Sequence, residues 1–237
     1  ENILVTNGSS EANFVACHTL LEKGDEVVMM IPNYMQIQGI AEEMGCNVRF
    51  FRLREENNWA PDLDELASVI STKTKMIALC NPDNPTGYTL TDDEMNQIID
   101  MAEKVDAWIY VDEIYRGAEL NNILTPSFIG LYPKVMVNGG LSKAYALPVL
   151  RLGWLAGPAC TYHDYTSITA GILSHKIGEI ALRPAVRDNI LNRNRNMLRE
   201  NLNVCEDWLI SHKDLFSFVP PKAGGMAFIR YHFDINS

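Results

Sequence analysis

Short apolar runs alternate with longer stretches in which apolar positions return every three or four residues. The runs "NILVT", "EVVMMI", "NVRFF", "KMIALC" and "AWIYV" read as strands, and helical spacing fills about 10–22, 34–44, 62–70 and 91–104 between them. "KVMVN" and "RLGWLAG" add two further strand candidates. Such alternation predicts an α/β fold, a mostly parallel sheet covered by helices. From about 181 to 211 the pattern becomes one long amphipathic helix, kinked or restarted at Pro184. Leu191, Leu198, Leu202, Cys205 and Leu209 form its packing stripe, and its polar face is expected to be solvated. "FSFVPPKAGGMAFIRY" then reads as a strand pair opening a second domain. The expected division is a large domain over 1–188, followed over 189–237 by a linking helix and the start of a smaller domain. The first residue is not Met and the last follows a strand-like run, so the 237 residues read as part of a longer polypeptide.

Composition narrows the partners. With 47% hydrophobic and 21% charged residues the chain is ordinary globular protein, and a net charge of -10 disfavours nucleic acid and anionic membranes. A small-molecule partner is expected. No run approaches the roughly 18 apolar residues of a membrane span, and no basic-then-apolar leader opens the chain, so a cytoplasmic location is expected. Cys17, Cys46, Cys80, Cys160 and Cys205 form no C-x-x-C pair and read as reduced thiols. The five histidines lack metal-ligand spacing, so no metal site is expected.

The chemistry collects where ligands bind in open α/β sheets, beyond the carboxyl ends of strands. "VTNGSSEANF" runs a strand into Gly8, Ser9 and Ser10 and then a helix, an arrangement whose free N–H groups and dipole favour an anion. In "CNPDNPTGYTLTDDE" two Asn-Pro steps make a rigid turn able to hold an asparagine side chain for a task, and prolines in such a turn can take the cis form. Thr91 and Glu94 stand in capping-box register. "WIYVDEIYRG" ends an apolar strand on Asp112, a carboxylate costly to bury without a cationic or proton-bearing partner, with Tyr115 three residues on. "KVMVNGGLSKAYALPVLR" places Lys143 in an apolar run, where a buried ammonium should lose its proton or bond covalently to a ligand.

Together these stretches resemble the class I/II aminotransferases, pyridoxal-phosphate (PLP) enzymes of fold type I. The resemblance rests on "NGSSEA", "PNY", "NPDNPTG", "DEIYRG" and "LSKAYALPVLRLGW", and it covers essentially the whole chain. It implies a three-layer α/β large domain, part of a smaller α+β domain, a homodimer, and transfer of an amino group from an amino acid to a 2-oxo acid. It also assigns residues. Lys143 corresponds to the Schiff-base lysine that then shuttles the Cα proton, and Asp112 to the carboxylate that keeps the pyridine nitrogen protonated. Asn84 and Tyr115 correspond to the pair on the ring's phenolic oxygen. Arg151, Ser142, Ser9 and Ser10 correspond to phosphate ligands, and Tyr34 to the aromatic stacked on the ring.

Gly140 departs from this pattern, because members of the family usually carry Ser or Thr three residues before the lysine; the resemblance implies that one phosphate hydroxyl is lost here. The family's substrate-carboxylate arginine and N-terminal arm fall outside these residues, and Arg230 lies too early in "AFIRY" to replace that arginine. The same scaffold also supports C–S β-lyases, capreomycidine-type synthases and arginine oxidases. A further alternative is an aminotransferase-like sensor domain joined to a DNA-binding module.

Overall fold

The computed structural model describes residues 3–158 and 162–233, so Cys160 lies outside the described residues. Strands β1 (Ile3–Thr6), β2 (Glu26–Ile31), β3 (Asn47–Arg54), β4 (Ala60–Pro61), β5 (Thr74–Cys80), β6 (Trp108–Asp112), β7 (Val135–Gly140) and β8 (Gly153–Ala156) form one eight-stranded sheet. Its order is β1-β8-β7-β6-β5-β2-β3-β4. The five strands from β7 to β3 are mutually parallel, whereas β8 runs antiparallel to both β7 and β1, and β4 is antiparallel to β3.

Alternation along the strands sorts side chains into two cores. Val28 and Met30 of β2, Ile77 and Leu79 of β5, and Ile109 and Val111 of β6 pack on one face. There they meet Leu66 of α3 (Leu63–Val69) and Met95, Ile98 and Ala102 of α4 (Asp92–Lys104). Val27, Met29, Met76, Ala78, Tyr110 and Met136 turn to the other face, against Ala12, Val15 and Ala16 of α1 (Ser9–Leu20) and Ile37 and Ala41 of α2 (Gln36–Glu43). Strands covered on both faces have apolar residues at odd and even positions alike, hence continuous runs such as "VVMMI". Helix α4 starts where expected, with both halves of the Thr91/Glu94 capping box formed.

The long helical pattern resolves into α5 (Ile172–Ala181) and α6 (Pro184–Ser211), a restart at Pro184. Helix α5 begins before the expected stretch because Ile172, Leu173, Ile177 and Ile180 all face outward and give no inward stripe to read. The polar face of α6 is not merely solvated. Arg195 Nε donates to the Gly117 carbonyl at 2.8 Å, Arg199 Nε to the Leu120 carbonyl at 2.7 Å, and the buried Asn194 amide to the Ala144 carbonyl at 2.9 Å. These bonds satisfy loop carbonyls that a sheet would otherwise pair. The expected strand pair is present as β9 (Phe216–Phe218) and β10 (Ile229–Tyr231), antiparallel and separate from the main sheet. No helix among the described residues is long and apolar enough to cross a membrane.

Candidate active site

Three adjacent parallel strands, β5, β6 and β7, deliver their following loops to one edge of the sheet. Antiparallel β8 brings its beginning to the same edge, because Gly153 pairs with Gly140 on one side and with Thr6 on the other. A cavity of about 230 Å³ opens there. Its wall contains every sequence-predicted site residue: Ser9, Ser10, Tyr34, Asn84, Asp112, Tyr115, Ser142, Lys143 and Arg151. Asn13, Cys80, Ile114 and Pro148 complete the lining.

One end of the cavity is an anion cradle. The turn from β1 is held by the Gly8 N–H donating to the Thr6 carbonyl and the Thr6 hydroxyl donating to the Gly8 carbonyl, both at 2.9 Å. Helix α1 therefore starts at Ser9, one residue earlier than its periodicity indicates, with Gly8 as N-cap and no side chain closing the terminus. The amides of the first turn stay available to a ligand. Gly8 has φ +87°, and a Cβ there would collide with the Arg151 guanidinium, so glycine lets the cation lie against the helix start. Gly153 likewise has no room for a side chain beside Gly8 and Ser9.

The "NPDNPTG" turn separates two asparagine tasks. Asn81 holds the backbone, its Oδ1 accepting from the Leu90 N–H at 3.0 Å, while Asn84 lines the cavity. The Ile31-Pro32, Asn81-Pro82 and Asn84-Pro85 bonds are cis. Asp83 is buried and accepts from the Thr86 N–H at 3.1 Å and the Thr86 hydroxyl at 2.6 Å. Burial nonetheless pushes its carboxyl up to about 7.

Asp112 ends β6 with 8% exposure, and its Oδ1 accepts from the Ile114 N–H at 3.0 Å. Burial pushes its carboxyl up to about 6, against the opposing pull of that N–H, the Asn13 and Asn138 amides and the Lys143 charge. It remains mostly ionised at neutral pH and available to a cationic partner. Tyr115 is buried, and its hydroxyl donates to the Met226 sulfur at 3.4 Å.

Lys143 corrects the expectation of a buried amine. It is solvent-exposed at the cavity mouth, its Nζ 5.9 Å from the centre of the Tyr115 ring. The neighbouring apolar residues Leu141, Ala144, Tyr145 and Leu150 bury themselves beneath it, with Leu191 of α6. The stretch is a fixed turn: the Ala146 N–H donates to the Lys143 carbonyl and the Leu147 N–H to the Leu141 carbonyl, both at 2.9 Å. An apolar run thus anchors a lysine that projects out of it.

Gly140 is enclosed. A Cβ there would stand 3.0 Å from Ile114 Cδ1 and 3.1 Å from the Leu152 carbonyl oxygen. Ile114 and the β8 approach occupy the space into which a side chain at 140 would grow. Arg230 pairs with Glu55 and is absent from the cavity wall. Among the missed residues, Asn13 carried a legible signal: it is polar on the buried side of α1, in register with Ala16, Cys17 and Leu20.

The sequence profile of aminotransferase class I and II matches residues 1–229. The chain belongs to this family. Capreomycidine synthase of Streptomyces vinaceus is 29% identical over 98% of the chain and 61% of its own length. An aspartate aminotransferase of Pyrococcus horikoshii is 32% identical over 74% of the chain and 45% of its own length. The solved structure of a PLP-dependent aminotransferase from Streptococcus suis is 35% identical, with a TM-score of 0.90 over 99% of this chain and 63% of that one. The chain thus spans about half to two thirds of the length of these relatives.

Proposed function

We propose that the full protein is a PLP-dependent aminotransferase that moves an amino group between an amino acid and a 2-oxo acid. The observation that carries this reading is the meeting, in one cavity, of an amine, a buried carboxylate and an anion cradle at separate stations. The donor set fits the cofactor. The α1 terminus, Ser142 and Arg151 suit a phosphate, Asp112 a protonated ring nitrogen, Asn84 and Tyr115 a phenolic oxygen, Tyr34 a ring face, and Lys143 an aldehyde.

When bound, the cofactor supplies an electron sink for the substrate's Cα bonds. The chain's residues supply the rest. Lys143, exposed at the mouth, would act as the base for the substrate Cα proton, and the Asp112 carboxylate would hold a proton on the ring nitrogen by opposing its charge. The Tyr115 hydroxyl and the Asn84 amide would orient the ring through its oxygen, and the cradle would hold the phosphate, so that Lys143 would meet a positioned target.

A homodimer is part of the proposal. It is supported by the outward apolar residues Ile168, Ile172, Leu173 and Ile177, exposed on and just before α5. We also assign 1–188 to the large domain and 189–237 to the linking helix and the start of the smaller one, and place the protein in the cytoplasm. A second reading has a specific basis: the similarity to capreomycidine synthase covers 98% of the chain. Incubating the full-length protein and PLP with amino acids tests both. Transfer of the amino group to an added 2-oxo acid supports the proposal. Cyclised product, or release of pyruvate, ammonia or peroxide without transfer, overturns it.

A further inference from the structure

Asp112 is one member of a polar cluster on the α1 side of the sheet. Tyr110 and Asp112 lie two apart on β6 and so share a face, and Asp112 is in register with Asn138 of β7. Asn13 of α1 covers them, and Asn13, Tyr110 and Asn138 are all at most 1% exposed. Asn13 Oδ1 accepts two hydrogen bonds, from the Tyr110 hydroxyl at 2.5 Å and from Asn138 Nδ2 at 2.8 Å. Two donors on that oxygen fix the orientation of the amide, since a flipped amide would set its own N–H groups against both. Nδ2 carries two protons. One goes to Gln36 Oε1 at 2.9 Å, and Gln36 is itself tied to the Ser10 carbonyl at 2.9 Å.

We propose that Asn13 is a positioning residue for Asp112: locked by Tyr110 and Asn138, it turns its second N–H to the carboxylate and holds it aimed into the cavity and ionised. The Ile114 N–H serves Oδ1 of the carboxylate, and Asp112 and Asn13 both line the cavity. Hydrogen bonds from Asn13 and Asn138 are among the influences that hold the Asp112 carboxyl down against burial. Asn138 Oδ1, buried with no hydrogen-bond partner, fits an asparagine kept for its N–H groups. The other titratable groups around Asp112 are Lys143, Cys80, Tyr110, Tyr115 and Glu113. Through Gln36 the same chain of bonds reaches the segment that carries Tyr34.

The inference rests on reading Asp112 as the partner of the cofactor's ring nitrogen, but its test does not need the cofactor. Full-length protein with carboxyl-13C aspartate is titrated by NMR without added PLP, and the Asp112→Asn spectrum assigns the resonance. Asn13→Leu should raise the Asp112 midpoint by about one pH unit, a tenfold change in proton affinity expected on losing one charge-assisted hydrogen bond. Tyr110→Phe, which removes one hydroxyl and frees the Asn13 amide to reorient, should move it the same way by less; this milder variant decides the matter if Asn13→Leu does not fold. With PLP loaded, Asn13→Leu should lower kcat about tenfold and leave the KM for the amino donor unchanged. An unmoved midpoint in folded variants overturns the role of Asn13. Failure of the wild-type chain to use PLP overturns the aminotransferase reading and leaves the titration result standing.

Discussion

A Cβ on Gly153 would stand 2.6 Å from the Ser9 amide nitrogen and 2.5 Å from the Gly8 carbonyl carbon. The strand and the helix start can approach only because this residue has no side chain. Gly153→Ala should push the first turn of α1 off β8, lower stability by about 1–3 kcal/mol, and weaken cofactor binding by at least about tenfold through the displaced amides. Absorbance titration with PLP measures the affinity, and a thermal melt measures the stability.

Lys143 is exposed above its own anchored turn, so removing its side chain should barely touch the fold. Lys143→Ala is expected to leave unfolding free energy within about 0.5 kcal/mol of the parent, as for surface substitutions generally. It should abolish both activity and the covalent adduct trapped by borohydride, read by intact-chain mass spectrometry. Retained turnover would remove Lys143 from its assigned role.

Asp83, Asp112 and Glu113 set a pH dependence of stability. Burial holds their carboxyls up at about 7, about 6 and about 7, so the folded chain keeps protons that the unfolded chain releases near pH 4. Between about pH 4 and 7 the folded state binds more protons, so these groups make stability fall as pH rises. Glu11 and Glu26, held below the usual range, act oppositely: their contribution is lost as pH falls through the low carboxylate range. Asp83→Asn should therefore stabilise the chain by on the order of 4 kcal/mol at pH 8, since its carboxyl is displaced by about three units and each is worth about 1.4 kcal/mol, and not at pH 4. Denaturant melts at the two pH values check this. Equal effects at both would show that Asp83 does not titrate in the folded chain.

Gly140 is where restoring the family's usual hydroxyl should do harm. Gly140→Ser should cost about 1–3 kcal/mol by overpacking against Ile114 and the Leu152 carbonyl. Combining it with Ile114→Val should recover part of the loss. If Gly140→Ser alone raises both PLP affinity and melting temperature, the site at 140 is not enclosed.

Chemistry-bearing residues at strand ends were readable because the runs before them are so plainly strands. Asp112 follows "WIYV" and Lys143 follows "KVMVNGG", and topology alone carries both to one edge. Other features depend on neighbours that sequence order hides. The apolar run around Lys143 signals burial, yet Leu141, Ala144 and Tyr145 pack downward while the lysine points out. Arg195 and Arg199 looked like a solvated face because their partners are carbonyls of the loop at 117–120, remote in the chain. Asn13 shows its buried side in its helical register, but its partners Tyr110 and Asn138 lie far along the chain and leave no local trace.

The reversed direction of β8 has a consequence for how the molecule is fastened. Strand β1 is short, four residues, and lies at the margin of the sheet, where its one ladder partner among the described residues is β8. The amides following β1 and the guanidinium preceding β8 come from distant segments, so bringing them together carries a long loop-closure cost. A doubly charged group gripped by both would rivet that margin shut, and a ligand bound by the folded form alone adds to stability by mass action. The phosphate end of the cofactor would then serve as a structural fastener for an otherwise weakly held margin.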